Sequence, residues 1–299
     1  MNDDYLWDRS GPPDLEVARL EQRLAPLRYR HRRLPRPSRA PWAVAAAVVA
    51  AAAGLVLMVT PPAQGTGWQL AGNSLRQGQT VQTGDSAVRI EAEQIGRVDL
   101  APNSVLRTAG GKRLTLQRGE LHAFIWAPAR EFVVDTPSAQ AVDLGCEYTL
   151  NVDDKGDGQL RVSMGWVAFQ VGDREAFIPA GATCATRKKG GPGIPYFEDT
   201  SDAVRQGVAR FEHSEPGALT ALLAAAGPHD GLTLWHLLTR VPEAERGVVF
   251  DRFRDLVQLP EGVSRDGILH GDARAIDQCW NALGLENTGW WRGWERKWQ

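Results

Sequence analysis

A run of seventeen uncharged, apolar residues, AVAAAVVAAAAGLVLMV at 43–59, constrains this chain more than any other feature. As an α-helix the run would extend roughly 26 Å, which is close to the lower limit for crossing a bilayer. A buried helix of a soluble domain and the core of a signal peptide have a similar composition. However, the roughly forty residues before the run exceed an ordinary signal-peptide n-region. We therefore predict a single transmembrane helix at 42–60.

The charges on either side of this run predict its orientation. No charged residue occurs between Arg39 and Arg76, whereas the segment before the run is rich in arginine. Because basic flanks stay in the cytoplasm, we expect a cytoplasmic N-terminus and, in a bacterial inner membrane, a periplasmic C-terminal bulk. A net charge of −2 provides no global attraction for nucleic acid, so we expect no direct nucleic-acid binding. The arginines are Arg28, Arg30, Arg32, Arg33, Arg36 and Arg39.

The segment at 1–41 contains one candidate helix, which Asp14 is placed to cap. Its apolar residues recur at helical spacing and form a narrow stripe. About forty residues cannot enclose a core, so the stripe must bind a partner, lie on the membrane surface or stay exposed. We favour binding to a cytoplasmic partner. The proposed partner face consists of Val17, Leu20, Leu24 and Leu27.

After a Pro/Gly/Thr linker at 61–67, apolar and polar residues alternate from about 68 to 186. Many short alternating runs separated by glycines predict an all-β domain. Two twelve-residue stretches echo each other, LTLQRGELHAFI at 114–125 and LRVSMGWVAFQV at 160–171. Each predicts a strand, a glycine corner and a second strand. Two copies are too few for a solenoid, so we expect a roll or sandwich with a shared core.

Helical spacing replaces the alternation after a second linker at 187–200, which predicts a C-terminal α-helical domain at 201–299. Helices are expected at 243–257 and 272–284 among others, with Asp272 as an N-cap. The fold class is therefore α+β and multi-domain. The tail places Trp291, Trp294 and Trp298 on one helical face. Such aromatic residues are typical of a buried helix face, and stacking on a glycan is the alternative.

Motifs for catalysis or cofactor binding are missing from the sequence. It contains no GxSxG, P-loop, HExxH or GxGxxG pattern, and no two histidines are four residues apart. His229 and His236 could share a face with Asp230, although a hydrogen-bonded histidine is the commoner arrangement. We expect no enzyme activity, no cofactor and no metal site.

The cysteines raise a separate question. Cys146 has no base beside it in its alternating stretch, so catalysis is disfavoured. Outside the cytoplasm it could pair with Cys184, which is the other cysteine of the β region. We predict a Cys146–Cys184 disulfide, with two separate buried thiols as the alternative.

The ordered motifs of the β region resemble the FecR domain. The family carries a TG turn followed by a serine, a G-x-V-x-L-x-P-x-S segment, an L-x-x-G-x-L corner, a V-x-TP segment, an LG strand and a closing V-x-x-G-x-V. The resemblance covers roughly 68–186, and Cys146 stands where the family often has threonine. The matching residues are Thr83, Gly84, Ser86, Gly96, Val98, Leu100, Pro102, Ser104, Gly119, Thr136, Pro137, Leu144, Gly145 and Gly165.

This resemblance implies a single-pass inner-membrane regulator that relays an envelope signal to a cytoplasmic partner. In the family that partner is an extracytoplasmic-function sigma factor. The alternative is an envelope binding or structural module that holds a glycan or another protein and has no transcriptional role. A periplasmic hydrolase ranks last, because no nucleophile–base pair is present.

Overall fold

The computed structural model describes residues 18–19, 22–23 and 65–285. Contacts group the chain into two compact units, 1–60 and 61–299. In the first unit the four described residues, Ala18, Arg19, Gln22 and Arg23, are helical, and the last three of them are exposed. Within the described residues, no helix is both long and apolar enough to cross a membrane. The predicted transmembrane helix at 42–60 lies outside these residues.

The second unit begins with a connected network of sixteen strands. Its pairings are antiparallel in the described residues, apart from the parallel pair of β7 and β8. The strands are β1 (Gly65–Leu70), β2 (Asn73–Arg76), β3 (Thr80–Gln82), β4 (Val88–Ala92), β5 (Gly96–Leu100), β6 (Val105–Gly110), β7 (Arg113–Ile125), β8 (Val133–Asp135), β9 (Gln140–Asp143), β10 (Glu147–Val152), β11 (Gly158–Met164), β12 (Trp166–Val171), β13 (Arg174–Pro179), β14 (Ala182–Arg187), β15 (Gly191–Pro192) and β16 (Tyr196–Phe197).

The long strand β7 joins two halves of this network at Gly119. Before the glycine, β7 pairs with β6 and β8, and after it β7 pairs with β5 and β10. Gly119 has a φ of 92°, and a Cβ there would lie 2.3–2.6 Å from Ser104. Only glycine therefore fits this corner. Alternate side chains of both halves point inward and form the core, as the period-two pattern predicts.

The second copy of the echoed motif bends in the same way. Gly165 separates β11, which pairs with β10, from β12, which pairs with β9 and β13. Its φ is 72°, and an added Cβ would lie 1.9 Å from the carbonyl oxygen of Gly145. The predicted strand–corner–strand unit is thus confirmed in both copies, and each glycine marks the passage from one half of the network to the other.

Helices follow the strands, as predicted. A 3₁₀ turn at Pro228–Asp230 precedes α3, and Asp272 caps α6 by accepting the N–H of Arg274, as its position in the sequence predicts. Two short strands, β15 and β16, lie within the segment expected to be a linker at 187–200, because its backbone pairs with β14. The helices are α1 (Asp202–Glu212), α2 (Ala218–Ala225), α3 (Gly231–Leu238), α4 (Glu243–Leu256), α5 (Arg265–Leu269) and α6 (Ala273–Ala282).

Helix α3 attaches the helices to the sheet. His236 is fully buried, and its Nδ1 lies 2.9 Å from the Leu232 carbonyl, to which it donates as a neutral ring. Its Nε2 then accepts the backbone N–H of Phe177 on β13 at 3.1 Å. Trp280 packs against Trp166, Phe177 and Trp235 at the same junction. The buried histidine thus satisfies a strand N–H that faces the helices.

Candidate interaction surfaces

Cys146 lies in a buried polar cluster beside the turn after β9. Its Sγ–H donates to Oδ2 of Asp143, and Gly145 N–H donates to Oδ1 at 2.8 Å. Burial raises the pKa of Asp143 to about 7, and hydrogen bonds from Cys146 and Gly145 partly oppose this rise. Burial and the Asp143 charge raise the pKa of the Cys146 thiol well above its usual value. The Cys146 thiol therefore acts as a hydrogen-bond donor within the folded scaffold, and its nucleophilic thiolate form is disfavoured.

The predicted Cys146–Cys184 disulfide is not present, because both cysteines are buried free thiols. Cys184 on β14 pairs with Leu160 on β11, and Leu160 pairs with Leu150 on β10. Cys146 precedes Leu150 by four residues, so the two cysteines are separated by roughly 10 Å across the strands and about 13 Å along them. A disulfide requires Cα atoms within about 7 Å. The sequence positions of the two cysteines do not reveal how far apart the register of β10, β11 and β14 places them.

The histidines singled out from the sequence do not converge. His229 Nε2 lies 2.8 Å from Oδ1 of Asp199, whereas Asp230 accepts hydrogen bonds from Thr200 and Gly227. Among the residues that the structure describes, no group of three or more His, Cys, Asp or Glu side chains is arranged to hold a metal. The predicted partner face (Val17, Leu20, Leu24 and Leu27) and the tail residues Trp291, Trp294 and Trp298 lie outside the described residues.

The resemblance motifs have a structural role. Thr83 Oγ1 donates to the Ala101 carbonyl at 2.7 Å and accepts the N–H of Ser104 at 2.8 Å. Ser104 Oγ in turn accepts the N–H of Glu120 at 3.0 Å, beside the Gly119 corner. These bonds join the β3, β6 and β7 segments and satisfy backbone groups where the chain turns. These motif residues therefore stabilise the fold. Contact with a partner would be made by other residues, on the surface of the domain.

One exposed face of the sheet carries aromatic and apolar side chains. Trp126 is 50% exposed and its ring centroid lies 6.0 Å from that of Phe124, over which the Arg97 guanidinium sits at 5.0 Å. Glu147 pairs in register with both Phe124 and Met164, and Met164 is 46% exposed. We call Arg97, Phe124, Trp126, Glu147 and Met164 the outer face. The sequence pattern did not single out these positions, and which of them are neighbours follows from the register of the strands.

A second feature was missed by the sequence analysis because its members come from distant elements. Glu212 of α1 is nearly buried, and its Oε1 accepts the N–H of Ile194 at 2.6 Å. Its Oε2 lies 3.6 Å from Nη2 of Arg187. Burial raises the pKa of Glu212, and the charges of Arg187, Arg174 and Arg240 oppose this rise. The carboxylate therefore lies in a cluster of guanidinium groups.

The β region described above is similar to a known protein family. Residues 79–168, from β3 into β12, match the family model described as FecR protein. The chain contains a FecR domain. The FecR match lies within the 68–186 region for which the resemblance was predicted, and it includes Thr83, Ser104 and the corner glycines Gly119 and Gly165.

The chain also aligns with two solved structures. Two crystal structures of a putative anti-sigma factor from Parabacteroides distasonis, at 1.65 and 2.50 Å resolution, each align with a TM-score of 0.35 and 14% identity. Each alignment covers 40% of this chain and 60% of the solved chain, which is less than two thirds of its length. No curated protein matches this chain.

Proposed function

We propose that this protein is a single-pass inner-membrane regulator that relays an envelope signal to a cytoplasmic extracytoplasmic-function sigma factor. The observation that carries the proposal is the FecR domain at 79–168. The apolar run at 43–59 and its arginine-rich N-terminal flank support the membrane topology, with the FecR domain in the periplasm.

The chemistry of the described surface supports a role in protein contact. The thiol of Cys146 is buried and its pKa is raised, which disfavours the nucleophilic thiolate. The outer face instead presents Trp126 and Met164 to solvent beside the charged Arg97 and Glu147. Exposed aromatic and methionine side chains with charged neighbours are typical of protein-binding surfaces. In this proposal the FecR domain receives the signal through contact.

The cytoplasmic end would bind the sigma factor through Val17, Leu20, Leu24 and Leu27. The test is co-purification of the full-length protein from its native host, with each extracytoplasmic-function sigma factor of that host detected by mass spectrometry. Replacing Leu20 and Leu24 by Asp should abolish recovery of the sigma factor. Burying one leucine stabilises a complex by roughly 1.5–3 kcal/mol, so losing two weakens binding by about a hundredfold or more.

A matched control places the same two charges elsewhere on this helix. Ala18→Asp with Gln22→Asp has the same spacing, and Gln22 is exposed. This variant should retain the sigma factor. Equal recovery with both variants would show that the stripe is not the interface, and failure to recover any sigma factor with the unaltered protein would contradict the proposed partner.

A further inference from the structure

A cleft opens where the last strands meet the helices, on a part of the chain that the FecR match does not cover. Its volume is about 670 Å³, which is within the range of small-molecule sites. Strands β13, β14 and β15 form one wall, and α1, α2 and the start of α4 form the other. Arginines line it from both sides, namely Arg174, Arg187 and Arg240.

The arginine side chains are held in place by the backbone around them. Arg174 Nε donates to the Pro192 carbonyl at 2.8 Å and forms no other hydrogen bond among the described residues. Arg187 Nη1 donates to the Glu212 carbonyl at 3.2 Å, and Arg240 Nη2 donates to the Glu175 carbonyl at 2.9 Å. Anchored guanidinium groups lose little further conformational entropy when they bind a ligand.

The acidic residues of the cleft are mostly engaged. Glu212 accepts the Ile194 N–H and lies beside Arg187. Glu215 pairs with Arg210 at 2.8 Å. Glu245 is exposed in the first turn of α4. The cleft wall therefore keeps positive charge at Arg174, whose guanidinium has backbone contact but no carboxylate within ion-pair distance among the described residues.

Helix α2 adds to this potential. It begins at the cleft with Gly217 as N-cap, and no side chain caps it. The first N–H groups of a helix carry partial positive charge, and the helix dipole favours an anion there. The cleft thus brings together anchored guanidinium groups and the start of α2.

We propose that this cleft binds a small ligand that carries an oxyanion group, either a carboxylate or a phosphate, with Arg174 and Arg187 as its main contacts. Planar guanidinium groups bind both groups through paired, charge-assisted hydrogen bonds. The residues of this cleft differ from those of the outer face, and the existence of the site does not depend on the proposed function.

The test is isothermal titration of the full-length protein with inorganic phosphate, pyrophosphate and citrate, each at the same ionic strength. We expect saturable one-to-one binding of at least one probe. Binding of phosphate or pyrophosphate alone assigns the phosphate chemistry, citrate alone assigns the carboxylate chemistry, and both together assign their shared chemistry. No saturable binding of any probe overturns the proposal.

Variants at the cleft must weaken this binding. Arg174→Gln should raise the Kd about tenfold or more, as expected for one charge-assisted hydrogen bond. The control is Arg161→Gln, which removes the same charge from an exposed position on β11 and should leave the Kd within about twofold at matched salt. An equal effect of both variants would show a general charge effect and overturn the site.

A second pair of variants changes an exposed residue, so that weaker binding is not confused with a loss of folding. Thr220 is exposed at the third position of α2 and lines the cleft. A Glu side chain there suits the helix N-terminus, so Thr220→Glu should fold, yet its carboxylate competes with the ligand. It should weaken binding about tenfold relative to Thr220→Gln. Equal affinities of the two variants would contradict the proposal.

Discussion

Single residues of the FecR match act through backbone groups at turns. Thr83 and Ser104 bond to the main chain of neighbouring segments, and Gly119 leaves the space that Ser104 occupies. Thr83 and Ser104 satisfy buried backbone polar groups, and Gly119 permits a positive φ. Cys146 and Asp143 form another such group, but with a titratable carboxyl at its centre.

Asp143 makes the stability of this region depend on pH. Its pKa is raised to about 7 in the folded protein, from an ordinary value of 3.8. Folding therefore favours the protonated carboxyl, and the resulting stability is complete below pH 3.8 and lost as pH rises through 7. We expect residues 61–299 to lose about 1–2 kcal/mol of unfolding free energy through this group between pH 6 and pH 8.

The measurement is urea unfolding across that range, compared with Asp143→Asn. The amide keeps an acceptor for the Gly145 N–H but does not titrate. Glu212 also has a raised pKa and contributes a pH dependence of the same sign, so the difference between the two proteins isolates Asp143. Parallel pH profiles for both would contradict the assignment.

Among the elements, the two glycine corners decide how strands become a closed core. Gly119 lies within β7, and Gly165 separates β11 from β12, so both copies carry the chain from one half of the network to the other. Glycine is needed there for space as well as for φ.

Gly165→Ala should therefore destabilise residues 61–299 by about 2 kcal/mol more than Gly172→Ala. Both glycines have a positive φ, but the added Cβ meets the Gly145 carbonyl oxygen in the first case and nothing within 4 Å in the second. The difference isolates the steric term, and chemical denaturation measures it. Equal losses would mean that the corner relaxes freely.

At the scale of the whole molecule, the proposed function requires opposite ends of the chain to lie on opposite sides of a membrane. Alkaline phosphatase fused after residue 299 should be active, because it folds only outside the cytoplasm. A green fluorescent protein exported through the Sec pathway to the same place should be dark. An inactive phosphatase with a fluorescent counterpart would reverse the orientation and contradict the relay.

A fusion after residue 39 serves as the control for this topology. Arg39 ends the basic flank before the apolar run, so a reporter there stays in the cytoplasm under the proposed orientation. Phosphatase activity at this position should be low and fluorescence high. The two junctions together separate a crossing from a failure of expression.

Local patterns in the sequence determined the order of elements. Alternation of polar and apolar residues indicated the strands, helical spacing indicated the later helices, and the glycine positions indicated both corners. These features depend on neighbours in the chain, because side-chain direction repeats every two residues in a strand and about every 3.6 in a helix. The FecR resemblance was accessible for the same reason, since its motifs are short and ordered.

Only the tertiary structure decided what lies beside what. The offset of Cys146 from Cys184 depends on the register of three strands, and one residue of slip would change every pairing. The buried His236 accepts the backbone N–H of Phe177 on β13, which lies 59 residues away in the chain. The arginine-lined cleft likewise joins β13, β14 and α1, because long-range packing brings together charges that no local pattern connects.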